Sequence, residues 1–186
     1  MRHLAHRRTL TLGAVALALV GVAHTASAQA KPATGTGFGV GYTDIGPAIG
    51  LGNVGGASAS FGGRFERAIK PLPEMNNGIL GIEASFDYYS WSTPFYSWKY
   101  IPIGVTANYH FKLDDPKIDP FIGLGLGYRL ITCDFSGSGV DACSNSAIYA
   151  IGRAGARYFF SPKMAGYVDA GAGASTFNVG IMFKIN

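Results

Sequence analysis

The chain has 186 residues, 48% of them apolar and 14% charged, with 27 glycines, a mean hydropathy of +0.19 and a formal charge of +4; this is one domain's length and too apolar a composition for disorder. Three of the fifteen basic residues, Arg2, Arg7 and Arg8, fall in the first 28 positions and all eleven acidic residues lie beyond them, so twelve cations face eleven anions in the rest. A near-neutral body excludes nucleic-acid binding through a basic surface.

Arg2, His3, Arg7 and Arg8 make a positive start, Thr9 to Val22 is an apolar run of mostly Ala, Leu and Val, and Ala26-Ser27-Ala28 places small residues where a signal peptidase reads them. This predicts a secretory signal over residues 1–28, cleaved before Gln29. An apolar run of about 14 residues is short of the roughly 20 that a spanning helix needs, which disfavours a retained anchor. The mature chain, 29–186, then reads as one domain with a short leader at 29–35.

Beyond the leader the chain shows period-two alternation broken by turn chemistry, the signature of strands whose two faces meet different surroundings. A weak first strand is predicted at 36–45, with Phe38, Val40 and Tyr42 set against Gly39, Gly41 and Thr43, and a loop at 46–56. A second strand at 57–70 precedes a turn at 71–78. From Leu80 to Trp91, Leu80, Ile82, Ala84, Phe86 and Tyr88 alternate with Gly81, Glu83, Ser85, Asp87 and Tyr89, ahead of a loop at 92–97. From Tyr100 to Phe111, Ile101, Ile103, Val105, Ala107, Tyr109 and Phe111 share one face, and a turn is predicted at 112–117. From Ile118 to Thr132, Ile122, Leu124, Leu126, Tyr128 and Leu130 oppose Gly123, Gly125, Gly127 and Arg129.

A loop at 133–145 holds Cys133 and Cys143, whose spacing in an exported protein suits a disulfide closing that loop. A metal site is the weaker reading, because the only mature histidine, His110, is distant in sequence. Strands at 146–160 and 164–174, joined at 161–163, and a last one in which Phe177, Val179, Ile181, Phe183 and Ile185 alternate with polar or small residues, bring the total to eight. An even antiparallel meander leaves both ends on the side of the short turns, and closing it removes open edges.

The charges decide which solvent each face meets. Arg64, Glu66, Glu83, Asp87, Arg129, Arg153, Arg157, Asp169 and Lys184 all take the parity opposite to the apolar residues. Five cations and four anions can neutralise one another inside a narrow barrel, and glycines of the same parity leave room for them. A soluble exterior would carry more Lys and Glu and fewer glycines. Arg67 alone takes the apolar parity, near a strand end where an interfacial position suits it. The aromatics fall in two clusters, Tyr88, Trp91, Phe95, Tyr96, Trp98 and Tyr100 at the loop end and Tyr109, Phe111, Phe121, Tyr158, Phe159, Phe160 and Phe183 at the turn end. Two such clusters around centres of Ile, Val, Leu and Ala read as the girdles of a membrane barrel.

The signal, the Tyr-Ile-Pro-Ile-Gly-Val-Thr-Ala-Asn-Tyr-His-Phe strand at 100–111, the Asp-Pro-Phe-Ile-Gly-Leu-Gly-Leu-Gly-Tyr strand at 119–128 and the alternating C-terminal strand together resemble the small outer-membrane β-barrel proteins of Gram-negative bacteria, the OmpA-like, opacity-type group. The resemblance spans the mature chain. It implies an all-β, eight-stranded antiparallel up-and-down barrel in outer-membrane lipid, inserted by the barrel-assembly machinery. Members often end on an aromatic residue that this machinery reads, whereas this chain ends Phe183-Lys184-Ile185-Asn186.

Gly35-x-Gly37-x-Gly39-x-Gly41 and Gly123-x-Gly125-x-Gly127 lack the spacing and the succeeding helix of a phosphate loop, and lie inside strands. Enzymatic barrels need a nucleophile and a base at the outer end, whereas His110 ends its strand beside the turn at 112–117, with Phe111 and Lys112 next in the chain. No enzyme and no cofactor are expected. Eight strands leave an interior that side chains about fill, so a structural ion network is favoured over a wide channel. The expectation is a monomer with a structural or surface-interaction role or a narrow passage for small solutes. The rival is a soluble periplasmic β-barrel binding an apolar ligand.

Overall fold

The structure is a computed structural model and describes residues 37–135 and 146–186; the expected signal at 1–28, the leader at 29–35 and Cys143 lie outside the described residues. Eight strands run in chain order: β1 (Thr43–Leu51), β2 (Ser60–Leu72), β3 (Gly78–Ser92), β4 (Tyr96–His110), β5 (Ile118–Phe135), β6 (Ala147–Ser161), β7 (Met164–Ala172) and β8 (Phe177–Lys184). Each pairs antiparallel with its neighbours, and β1 pairs with β8, so the sheet closes into a barrel. Among the described residues no helix is long and apolar enough to cross a membrane. Crossing falls to the strands, and 8 or 9 residues in β1, β7 and β8 approach the 9–11 that a tilted strand requires.

The polarity of the wall is inverted relative to a soluble barrel. Ile103, Val105, Ile122, Leu124, Leu126, Val179 and Ile181 point outward, with Leu124 75% exposed, while Arg64, Glu66, Glu83, Asp87, Arg157 and Asp169 are buried inside. A soluble barrel with an apolar cavity requires the reverse, so this arrangement removes that rival. The aliphatic band needs a hydrocarbon solvent, and the charges need one another.

The first strand is shifted from its expected place. β1 covers Thr43–Leu51 and takes in half of the loop expected at 46–56, whereas residues 37–42 precede it without strand pairing. The reason is weak contrast: Ile45, Pro47, Ile49 and Leu51 face out and Gly46, Ala48 and Gly50 face in, an alternation of large against small rather than apolar against polar. The expected face is also reversed, because Tyr42 is buried within the barrel and not on the lipid side. At the closing seam, Asp44 pairs with Lys184 and Ile45 with Phe183, and the ladder resumes at Ala48 with Gly180. Pro47 in between offers no N–H. A side chain at Gly46 would land on the Ile181 carbonyl and one at Gly180 on the Pro47 carbonyl, so the two glycines let β1 and β8 approach.

The wall is taller on one side. β4 and β5 stay paired up to Tyr96 and Phe135, whereas β2 leaves β3 at Tyr88 and β6 leaves β5 at Arg129. A three-stranded extension of β3, β4 and β5 therefore stands above the rest at the loop end. Its inner face carries a stack of rings; Trp91, Tyr96, Trp98 and Tyr100 are expected in the lipid-side girdle and lie inside instead, whereas Tyr89 keeps the inward parity expected of it. Tyr89 lies 4.9 Å from Tyr100, Tyr100 4.9 Å from Trp91, Trp91 5.4 Å from Trp98, and Trp98 5.3 Å from Tyr96. In β3 and β4 these residues share parity with Asp87 and Asn108, and parity outranks side-chain chemistry once a strand is in register. At the turn end Phe121 and Phe159 are likewise inside, while Phe111, Tyr158, Phe160 and Phe183 face out.

Candidate functional site in the barrel interior

The interior holds two groups of polar side chains, one above the other. The lower group, near the turns, centres on Arg157 of β6. Its guanidinium reaches Asp44 of β1 at 3.2 Å, Asp119 of β5 at 3.4 Å, and Glu66 of β2 in a direct ion pair. Four strands are thus tied to one cation, and a planar fork with five donors is the side chain that can do this. His110 of β4 lies beside it, with Nε2 at 2.8 Å from Glu66 and Nδ1 at 3.0 Å from Asp119, and Asn108 donates to the same Glu66 oxygen at 3.0 Å. Below this group the apolar residues Tyr42, Ala68, Phe159 and Ala165 close the mouth, joined by Phe38, whose ring stacks on His110 at 3.7 Å.

The upper group lies toward the loops. Arg64 of β2 pairs with Asp87 of β3 at 3.1 Å and donates to Asn178 of β8 at 3.0 Å. Arg153 of β6 donates to both oxygens of Asp169 of β7 at 3.0 Å, and Asn178 donates to Asp169 at 2.7 Å. Tyr167 of β7 links the two levels: its hydroxyl donates to Asp169, and its ring lies 5.8 Å from the Arg157 guanidinium. Glu83, between the levels and opposite Glu66 across β2 and β3, is buried with Oε2 unpartnered among the described residues.

Of the nine charges singled out in the sequence, seven are buried inside; Arg129 and Lys184 also point inward but are only half-buried at the two ends, Arg129 over Tyr149 and Lys184 over Tyr42. Three members of the lower group escape a reading of the sequence alone. Asp44 is hidden by the misplaced first strand. His110 and Asp119 have the interior parity, but each lies at a strand end beside the turn at 112–117, where alternation carries least weight. Cys133 lies on the inner face of β5 opposite Trp98.

Chemically this interior is a set of mutually neutralising ions held in a low-dielectric shell. It ties the strands together, and its buried side chains occupy the space through which a wide water column would pass.

Comparison with known proteins agrees with this architecture. A family model described as the outer membrane protein beta-barrel domain matches residues 12–181. OprG, an outer membrane protein of Pseudomonas aeruginosa, superposes with a TM-score of 0.56 at 14% identity, over 81% of this chain and 99% of its own. Ail, the attachment invasion locus protein of Yersinia pestis, gives 0.51 at 17% identity over 77% and 93%. Neisserial surface protein A gives 0.51 at 18% identity over 78% and 97%. At such identities the likeness is one of fold. No curated protein matches the chain. The family match over nearly the whole chain, an apolar outer wall and an ion-filled interior lead to one conclusion: the chain belongs to the family of outer-membrane protein β-barrel domains.

Proposed function

We propose that this protein is a sealed outer-membrane barrel of a Gram-negative cell with a structural or surface-interaction role, rather than a conduit or a catalyst. The observation that carries the reading is the two-level ion network across the interior, with Arg64, Asp87, Arg153 and Asp169 above and Asp44, Glu66, His110, Asp119 and Arg157 below. Ion pairs buried this deeply are costly to separate, and a solute could pass only by separating them. The non-catalytic reading is supported by His110, both of whose nitrogens face carboxylates at the end opposite the loops.

On this reading the segment 1–28 directs export and is removed, the barrel-assembly machinery inserts the mature chain as a monomer, and outer-membrane lipid surrounds it. A disulfide between Cys133 and Cys143 would restrain the loop beyond the tall wall, where any surface ligand is met. Single-channel recording of the purified protein in a planar bilayer tests the sealed state. The expected result is no unitary current; stable ohmic openings would overturn it in favour of a narrow passage for small solutes.

A further inference from the structure

The turn-end mouth is closed by a segment that belongs to no strand. Residues 37–42 start beside the β4–β5 turn, where the Cβ position of Gly37 lies 3.0 Å from the Pro116 carbonyl oxygen. They end at Tyr42, whose carbonyl accepts from Ala68 of β2 at 2.9 Å. β2 and the β4–β5 turn lie on different sides of the barrel, so the segment crosses the opening. Midway, the Phe38 ring stacks on His110 at an interplanar angle of 15° and lies 5.1 Å from the Arg157 guanidinium.

Its attachment differs in kind from that of the wall. Every strand is held by ladders on both sides, but among the described residues Gly37, Phe38, Gly39 and Val40 make no backbone hydrogen bond to the barrel; the nearest is Gly41 N–H to Ala68 at 3.3 Å. Phe38 is therefore held by its ring. Gly41 has φ +84°, a left-handed conformation natural only to glycine, and no atom within 4 Å of its Cβ position. It sits at the root of the segment in a turn closed by Tyr42 N–H donating to the Gly39 carbonyl at 2.8 Å, the one bend between the strap and β1. A cavity of about 280 Å³ lies alongside, lined by Phe38, Asn77, Ile79, His110, Lys112 and Asp119, and gives the ring space to leave its seat.

We propose that residues 37–42 form a hinged strap that closes the turn-end mouth, with Phe38 as its stopper, and that rotation at Gly41 opens the His110–Asp119–Arg157 group to solutes on that side. The tip of the strap, residues 37–40, is a low-stability element on a rigid wall, because the Phe38 ring and no backbone ladder hold it down, while Gly41 and Tyr42 anchor its root to Ala68.

The only histidine beyond residue 28 is His110, so its modification reports on the mouth directly. The protein in detergent micelles, with both mouths facing solvent, is treated with diethyl pyrocarbonate, and carbethoxylation of the His110 peptide is followed by mass spectrometry. Heat-modifiable gel migration checks that each sample is a folded barrel. Slow reaction is expected in the unaltered protein. In Phe38→Ala, which loses ring stacking and apolar burial together, the rate should rise roughly tenfold or more. Gly41→Val touches nothing in the barrel and strains only this bend, so it should accelerate the reaction in the same direction even if Phe38→Ala does not fold. Reaction of the unaltered protein as fast as the boiled chain, or unchanged rates in folded variants, would overturn the proposal.

Discussion

Arg157 touches three carboxylates from three other strands and is itself fully buried, so its removal leaves Asp44, Glu66 and Asp119 without the guanidinium that joins them and only His110 beside two of them. Replacement by Met, which keeps the length and removes the charge, should cost about 3–5 kcal/mol, the range for an uncompensated buried charge. Urea unfolding in lipid vesicles, monitored by tryptophan fluorescence, measures it. Arg157→Lys should cost less but not nothing, because one ammonium cannot serve three carboxylates in a plane. The ion pair of Lys99 and Asp134, 3.4 Å apart on the outer face of the extension and 52% and 75% exposed, is the contrast. Lys99→Ala should change stability by less than about 1 kcal/mol in the same assay. One interaction type thus has two magnitudes, and burial separates them.

The strands differ in what holds them. The top of the β3–β4 hairpin stands beyond β2 and so lacks a ladder on one side; the ring stack replaces that support from within. Trp91 contacts Tyr100 and Trp98 at its centre, and the β1–β2 loop lies against its indole, where a side chain at Gly56 would meet the ring. Trp91→Ala should therefore loosen the hairpin above Tyr88 while leaving the barrel closed, at about 0.5–1.5 kcal/mol for each stacked pair lost. Amide hydrogen exchange reads this as faster exchange confined to residues 89–99; uniform acceleration along β3 and β4 would show that the stack supports the whole wall. The seam between β1 and β8 has the opposite weakness, tolerating no side chain where Gly46 approaches Ile181. In Gly46→Val the seam should fail to close, and the band that shifts on boiling should be absent.

Taken together, the eight strands solve one problem of solvation: an aliphatic exterior that only hydrocarbon suits, around charges that only other charges suit. An arginine introduced at Leu124, which faces lipid, should cost about 2–4 kcal/mol in vesicles if it lies near the bilayer centre, and much less in a detergent that lets water reach it. For the loop beyond the tall wall, non-reducing peptide mapping should recover Cys133 and Cys143 as one linked pair, and two separately alkylated thiols would remove that restraint.

Much of this is legible from alternation alone. Period two, once anchored by long runs such as Ile118–Thr132, assigns every residue of a strand to one of two faces, and the charges of β2, β3, β6 and β7 reveal which face is inside. That reasoning needs no contacts, because strand geometry imposes it locally. It fails where locality fails. Phe38, Val40 and Tyr42 alternate like a strand, yet nothing in their spacing says that a neighbour will pair with them, and they cross the mouth instead. Trp91, Trp98 and Tyr100 suit a lipid interface as well as an interior, so their chemistry could not choose between faces that register had already assigned. Which carboxylates meet Arg157 is likewise beyond any local pattern, since Asp44, Glu66 and Asp119 come from three strands and converge only when the barrel closes. Inside and outside were written along the chain; partners and closure came from bringing distant strands within a few ångströms of one another.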